Sequence, residues 1–199
     1  MIQQTLRLLI WLAGLAAAAS AQADAACTGE QLATPAGCEL DYGDIRFALQ
    51  AGAGGSINQL RIKPSGLAVD NSEINTELDG TAYRAELADL DSNGWPELYV
   101  YISSAGSGSY GSLAAYAVNN GKSITPIYLP PLEQSPEAIE GYMGHDQFAV
   151  VENRLQRNFP IYRKGDSNAA PTGGTRQLQY RLEPGEAGWA LKLERAVDD

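Results

Sequence analysis

The chain has 199 residues, of which 44% are hydrophobic and 19% charged, and its formal net charge is −10 at pH 7. This length and composition predict one globular domain with a substantial core. The acidic balance argues against a nucleic-acid-binding function, because phosphate recognition needs a basic surface, and it favours long-range attraction of basic partners.

Residues 1–23 have the features of a secretory signal peptide. Arg7 precedes an apolar run over residues 8–19, and Ala21-Gln22-Ala23 has the small-x-small pattern of a signal-peptidase site. The run is shorter than the roughly 20 apolar residues of a membrane anchor. We therefore predict export, with a single mature domain over residues 24–199.

Cys27 and Cys38 are the only cysteines. In an oxidising compartment such a pair is expected to form a disulfide. This bond would close a short loop and fix the entry segment of the domain.

The rest of the chain has the pattern of an all-β protein. Leu178, Tyr180 and Leu182 alternate with polar residues, as on a half-buried strand, and glycine and asparagine clusters separate such segments. The predicted strands cover residues 44–50, 57–63, 81–90, 97–103, 112–119, 123–129, 147–153, 154–161, 175–183 and 188–195. This pattern predicts an antiparallel β-sandwich of roughly eight to ten strands.

Two connections have a specific turn chemistry. Asn120-Gly121 separates two apolar runs and predicts a hairpin turn, because both residues tolerate positive φ. Residues 133–140 predict at most one short helix, with Ser135 as N-cap and Pro136 at the first helical position.

Residues 89–97, here called the acidic turn, have the spacing of a calcium loop. Asp89, Asp91 and Asn93 offer oxygen ligands at alternate positions, Gly94 permits a sharp turn, and Glu97 follows. Position 12 of such a loop would be a glutamate, and Val100 stands there instead. A metal-free turn whose side chains bond their own backbone is the simpler interpretation, and a structural calcium ion remains the alternative.

Residues 103–111, here called the serine–glycine loop, follow the strongest strand signal in the chain. They match G-x-G-x-x-G, but the segment after them is too short for the helix that a dinucleotide site requires. No G-x-S-x-G surrounds these serines, and His145 lies in a predicted turn, so a serine hydrolase is disfavoured. A flexible connection and a recognition loop anchored by Tyr110 remain as interpretations.

Four segments together resemble the periplasmic inhibitors of invertebrate-type lysozymes. Each segment is weakly specific, but their order is informative, and they span over half of the predicted mature chain. They are residues 96–101, 103–111, 141–146 and 168–177. The resemblance implies a β-sandwich inhibitor, often dimeric, with no catalytic residues of its own.

The resemblance also implies how such a protein would act. It assigns the lysozyme-binding loop to Ser104, Gly106, Ser107, Gly108, Ser109 and Tyr110. This uncharged loop would enter the acidic active-site cleft, where hydroxyl and N–H groups can hydrogen-bond carboxylates. Tyr142, His145 and Arg176 are candidates for a second contact.

Two other functions stay open from the residues alone. One is a calcium-stabilised module that binds carbohydrate or peptidoglycan, with the ion at Asp89, Asp91, Asn93 and Glu97. The other is an exported hydrolase that uses Asp89 and Glu97 as a carboxylate pair.

Overall fold

A computed structural model describes residues 26–199, so the predicted signal peptide lies outside the described residues. The all-β prediction is confirmed: thirteen strands form one nine-stranded and one four-stranded sheet in a sandwich-like arrangement. The strands are β1 Cys27–Thr28, β2 Cys38–Tyr42, β3 Ile45–Ala51, β4 Ile57–Ser65, β5 Ile74–Asp79, β6 Thr81–Ala88, β7 Glu97–Ser103, β8 Gly111–Asn119, β9 Ser123–Tyr128, β10 Gln147–Val151, β11 Arg154–Pro160, β12 Thr175–Gly185 and β13 Gly188–Asp198.

The strand order places β7 and β8 inside the large sheet. That sheet runs β1-β6-β7-β8-β9-β13-β12-β11-β10, and the small sheet runs β2-β3-β4-β5. Neighbouring strands are antiparallel except β9 and β13, which pair in parallel at Ile127–Trp189 and Tyr128–Ala190. The connection from β7 to β8 is the serine–glycine loop.

Strand β7 is buried on both faces. Leu98, Val100 and Ile102 face a core shared with the four-stranded sheet, whereas Tyr99 and Tyr101 face a second core formed with β10–β13. A strand covered on both faces needs apolar or aromatic residues at every position, which explains the unbroken run in the sequence. The serine–glycine loop therefore starts from one of the most enclosed strands of the protein.

Each of the ten predicted strands is present, and three further strands were not predicted. The additional strands are β1, β2 and β5. Strand β1 has only two residues, and the exposure pattern of β5 includes one buried residue, Leu78. Neither β1 nor β5 shows the repeated apolar alternation on which the sequence prediction of strands depends.

The helices are also more numerous than expected, although each is short. One is α1 Gly29–Leu32, where Thr28 and Gln31 form a capping box. The predicted segment at 133–140 consists of a 3₁₀ turn, Leu132–Gln134, and α2 Pro136–Ile139, with Pro136 at the first helical position as predicted. Among residues 26–199, no helix is long and apolar enough to cross a membrane.

The predicted hairpin turn and disulfide are both confirmed. Asn120 and Gly121 have φ values of 51° and 66°, and the Lys122 N–H donates to the Asn119 carbonyl over 3.0 Å. Cys27 and Cys38 are bonded, with their Cα atoms 6.1 Å apart. The bond ties β1, at the edge of the large sheet, to β2 of the small sheet.

Replacing both cysteines by alanine should lower the free energy of unfolding by about 3 kcal/mol, because the bond closes a loop of about 12 residues in the unfolded chain. Urea denaturation of the oxidised protein and the double variant measures this difference. Equal unfolding midpoints would contradict it. Far-ultraviolet circular dichroism should report the same β content in both proteins, because the remaining strands do not depend on the bond.

Candidate functional site

The serine–glycine loop extends the β7–β8 hairpin beyond its last paired residues, Ser103 and Gly111. At its base, the Ser104 N–H donates to the Tyr110 carbonyl over 2.9 Å. At its tip, the Ser109 N–H donates to the Gly106 carbonyl over 3.2 Å, and Ser109 has a positive φ of 43°. These bonds give the loop internal structure of its own.

Two other segments hold the loop from outside. The His145 N–H donates to the Gly108 carbonyl over 2.7 Å, and the Asn168 Nδ2 donates to the Ser107 carbonyl over 2.5 Å. His145 Nε2 lies 3.1 Å from Asn168 Oδ1, and this contact links the two supporting residues to each other. Hydrogen bonds from these two segments therefore hold two consecutive backbone carbonyl groups of the loop.

Gly144 permits this close approach. A Cβ at that position would collide with the Gly108 carbonyl oxygen, and its φ of 92° is one that other residues rarely adopt. The glycine in the segment at 141–146 thus has a physical role. It lets one backbone lie directly against the other.

A buried ion pair lies beneath the loop. The Asp146 carboxylate accepts hydrogen bonds from Arg157 Nε over 2.6 Å, from the Tyr142 hydroxyl over 2.6 Å and from the Gly111 N–H over 2.6 Å. The Asp146 side chain is fully buried and that of Arg157 is 6% exposed. Arg157 also donates to the Tyr142 hydroxyl over 2.8 Å, so three residues form one connected network under the start of β8.

Arg157 and Tyr142 keep their protons at neutral pH. Burial disfavours the charged form of Arg157, but the neighbouring Asp146 carboxylate outweighs that effect and raises the arginine pKa above its usual value. Burial and the hydrogen bond to Asp146 raise the pKa of the Tyr142 phenol, so it stays protonated. The pair adds no net charge to the site.

Tyr110 is the aromatic group that the site presents to solvent. Its side chain is 50% exposed, and its ring meets the edge of Tyr142 at a centroid distance of 5.6 Å. Tyr142 in turn packs against Phe159 at 4.8 Å. The exposed ring therefore rests on an aromatic stack that continues into the core.

A groove of about 660 Å³ opens beside Tyr110. Its lining includes Tyr110, Leu113, Ile127, Leu132 and Tyr142, together with the charged Glu133 and Arg157. An aromatic and aliphatic recess next to an exposed tyrosine is the usual composition of a binding surface.

Of the candidate second contacts, Tyr142 and His145 lie directly against the serine–glycine loop, whereas Arg176 has a supporting place. Arg176 is only 8% exposed and pairs with Asp198 over 2.6 Å. It also donates to the carbonyls of Glu137, Ala138 and Glu140. It thus anchors the segment that leads into Tyr142 to the last strand.

The acidic turn lies at the other end of β7. Asp89 accepts from the N–H groups of Asn93 and Gly94, both over 2.9 Å, and Asn93 accepts from the Trp95 N–H over 2.7 Å. These side-chain-to-backbone bonds are those of the predicted Asp/Asn turn. Carboxylate oxygens of Asp89, Asp91 and Glu97 nevertheless converge to within 4.8 Å of one another.

Glu97 is the buried member of that group, with 1% exposure. Burial, together with the charges of Asp91 and Asp89, raises its pKa to about 8 even though it accepts a hydrogen bond from the Leu90 N–H over 2.8 Å. Ionising all three carboxyl groups together therefore costs free energy in the absence of a cation, and Glu97 mostly keeps its proton at neutral pH.

Sequence reasoning pointed to the loop and, through the resemblance, to Tyr142 and His145, but it missed Asp146, Arg157 and Asn168, which complete the support of the loop. The buried position of Arg157 could have been recognised from the sequence, because it stands between Leu155 and Phe159 in the inward register of β11. A charged residue at such a position requires a buried partner. Asp146 and Asn168 lie far from the loop in sequence, so only the tertiary structure brings them to it.

Comparison of the chain with protein-family models, with curated proteins and with solved structures gives no match in any of the three.

Replacing Arg157 by methionine should lower the free energy of unfolding by about 3–5 kcal/mol, because Asp146 would remain as an unpaired buried charge. Denaturant unfolding measures the loss. The double variant that also carries Asp146→Asn should recover part of it, since the neutral amide no longer needs a cation. Equal stability of the single and double variants would contradict a charge-based explanation.

Proposed function

We propose that this protein is an exported, periplasmic inhibitor of lysozyme, most closely suited to the invertebrate type, and that the serine–glycine loop enters the enzyme's active-site cleft. The supporting observation is the loop itself: it is uncharged, it presents Tyr110, and it is held by a buried network. In this proposal the protein has a recognition role and is not an enzyme.

Pre-organisation supports the proposal. A loop that is ordered only on binding loses conformational entropy, which weakens the complex. Here the carbonyls of Ser107 and Gly108 are already bonded to Asn168 and His145. A loop in this state can enter a cleft at a small additional entropic cost.

The chemistry of the loop suits an acidic groove. Glycoside hydrolases of this kind cleave sugar chains with paired carboxylic side chains. Ser107 is exposed and Ser104 and Ser109 are partly exposed, so their hydroxyls can donate hydrogen bonds to a carboxylate. Residues 103–111 contain no acidic side chain that the cleft would repel.

Electrostatics can act at two ranges. The chain as a whole is strongly acidic, with a formal charge of −10, and would speed encounter with a basic enzyme. The neutral loop then makes the close contact with catalytic carboxylates. The groove beside Tyr110 offers space for an enzyme segment that flanks the cleft.

The Tyr110→Ala variant should bind an invertebrate-type lysozyme at least about 30-fold more weakly than the parent protein, because a half-exposed tyrosine on a rigid support is typical of a binding hot spot. Isothermal titration calorimetry gives the affinity, and a cell-wall lysis assay gives the inhibition. Val69→Ala is the matched control: Val69 is 75% exposed, and its N–H donates to the Lys122 carbonyl in the β8–β9 turn, which lies roughly 25 Å from the loop along β8.

Two outcomes would end the proposal. One is failure of the parent protein to inhibit invertebrate-, chicken- and goose-type lysozymes alike. The other is equal loss of inhibition in Tyr110→Ala and Val69→Ala, because the effect would then have no connection with the loop.

Introducing a carboxylate at the loop tip should weaken inhibition for an electrostatic reason. Ser107→Asp is expected to lower affinity about tenfold or more, since the new charge would face the acidic groups of the cleft. Ser65→Asp adds the same charge on an exposed residue paired with Arg46 at the far end of β4, and should leave affinity within about twofold. A gain in affinity from Ser107→Asp would show that the loop does not meet carboxylates.

A further inference from the structure

The acidic turn contains a second feature that points to a ligand. The Tyr99 hydroxyl is fully buried and has no hydrogen-bond partner among residues 26–199. Tyr99 lies two residues after Glu97 on β7, so both side chains project from the same face of the strand. A buried phenol without a hydrogen-bond partner costs free energy unless a group at the site accepts a hydrogen bond from it.

The environment of this phenol identifies where the missing partner would be. Its side chain is fully buried, and Glu97, the buried member of the carboxylate group, lies next to it on the same face of β7. The hydroxyl has no hydrogen bond of normal geometry to Glu97 or to any other group among residues 26–199. An oxygen held among these carboxylates would accept a hydrogen bond from it.

The charge balance favours a cation. Oxygens of Asp89, Asp91 and Glu97 converge to within 4.8 Å, and no lysine or arginine among residues 26–199 forms a salt bridge with any of the three. Their hydrogen-bond donors are backbone N–H groups and the Asn93 amide, so no cationic side chain offsets the charge of the group.

We propose that the acidic turn is a calcium site in which Asp89, Asp91 and Glu97 supply carboxylate oxygens and Asn93 supplies an amide oxygen, while Tyr99 donates a hydrogen bond to the coordination shell. Alternate-position oxygen ligands followed by a glycine suit this hard cation. Calcium accepts more ligands and less regular geometry than magnesium, so calcium should bind more tightly.

The site has a structural consequence that is independent of lysozyme binding. The acidic turn joins β6 to β7, and Ser92 accepts a hydrogen bond from Asn153, in the β10–β11 turn, over 3.1 Å. Trp95 packs under Gly121 of the β8–β9 turn. A bound ion would therefore stabilise the end of the sandwich at which these turns meet.

The test is calcium titration of the mature chain after chelator treatment. Calorimetry should detect one Ca²⁺ per chain, with a Kd of about 0.1–1 mM as in extracellular modules, and 10 mM Ca²⁺ should raise Tm by about 3–10 °C. Terbium(III), which replaces calcium, should show luminescence sensitised by Trp95 within the turn. Absence of both binding heat and a Tm shift at 10 mM Ca²⁺ would overturn the proposal.

Variants locate the ion. Asp91→Asn should lower calcium affinity at least tenfold, whereas Asp79→Asn, which removes an exposed carboxylate at the end of β5, should leave it unchanged. Equal effects of the two substitutions would overturn the assigned site. Circular dichroism in chelator confirms that each variant is folded.

Tyr99→Phe gives a second test that does not depend on a ligand substitution. Removing an unpartnered buried hydroxyl should leave the Tm of the calcium-free protein equal or higher, and should reduce the calcium-induced rise in Tm. A calcium-induced rise of unchanged size would exclude Tyr99 from the site. Inhibition of lysozyme is measured separately, so failure of this site and failure of the proposed inhibitory function are distinguishable.

Discussion

The arrangement of the exposed loop depends on one buried ion pair. Asp146 receives donors from Arg157, from Tyr142 and from the first backbone N–H of β8, at Gly111. Because a buried carboxylate needs all of its partners, this network specifies where the strand begins and where the ring of Tyr142 lies. The position of Tyr110 follows, since its ring rests on Tyr142. A polar interaction inside the protein thus determines the geometry of an apolar contact at its surface.

The local features of the fold could be predicted from sequence because each has a local physical cause. The β8–β9 turn requires positive φ at Asn120 and Gly121, and these two residue types tolerate it. Burial of both faces of β7 requires an unbroken apolar run. The nine-stranded order could not be predicted in this way. Its parallel pairing of β9 with β13 joins residues about sixty positions apart, and no periodicity within either strand specifies such a partner.

In the candidate site, too, the local features could be predicted from the sequence and the long-range contacts could not. The serine–glycine loop and its tyrosine are recognisable from composition, as is the oxygen-rich spacing of the acidic turn. What the sequence could not indicate is which distant groups complete each one. Asn168 reaches the loop from 61 residues away. Tyr99 appeared to be an ordinary core residue, and only its unpartnered hydroxyl distinguishes it from the other buried aromatic side chains.

Strand β7 connects an acidic end of the protein to an uncharged loop. Its first residue, Glu97, belongs to the acidic turn, in which three carboxyl side chains converge, and its last, Ser103, begins a loop without charge. An acidic surface attracts a basic partner from a distance but would repel carboxylates at contact. Under the proposed inhibitory function, the position of the acidic turn at the far end of the strand keeps its three carboxyl groups away from the contact. Over a separation of roughly 20 Å along β7, salt screening removes most of the repulsion at the loop while the net negative charge still acts during encounter.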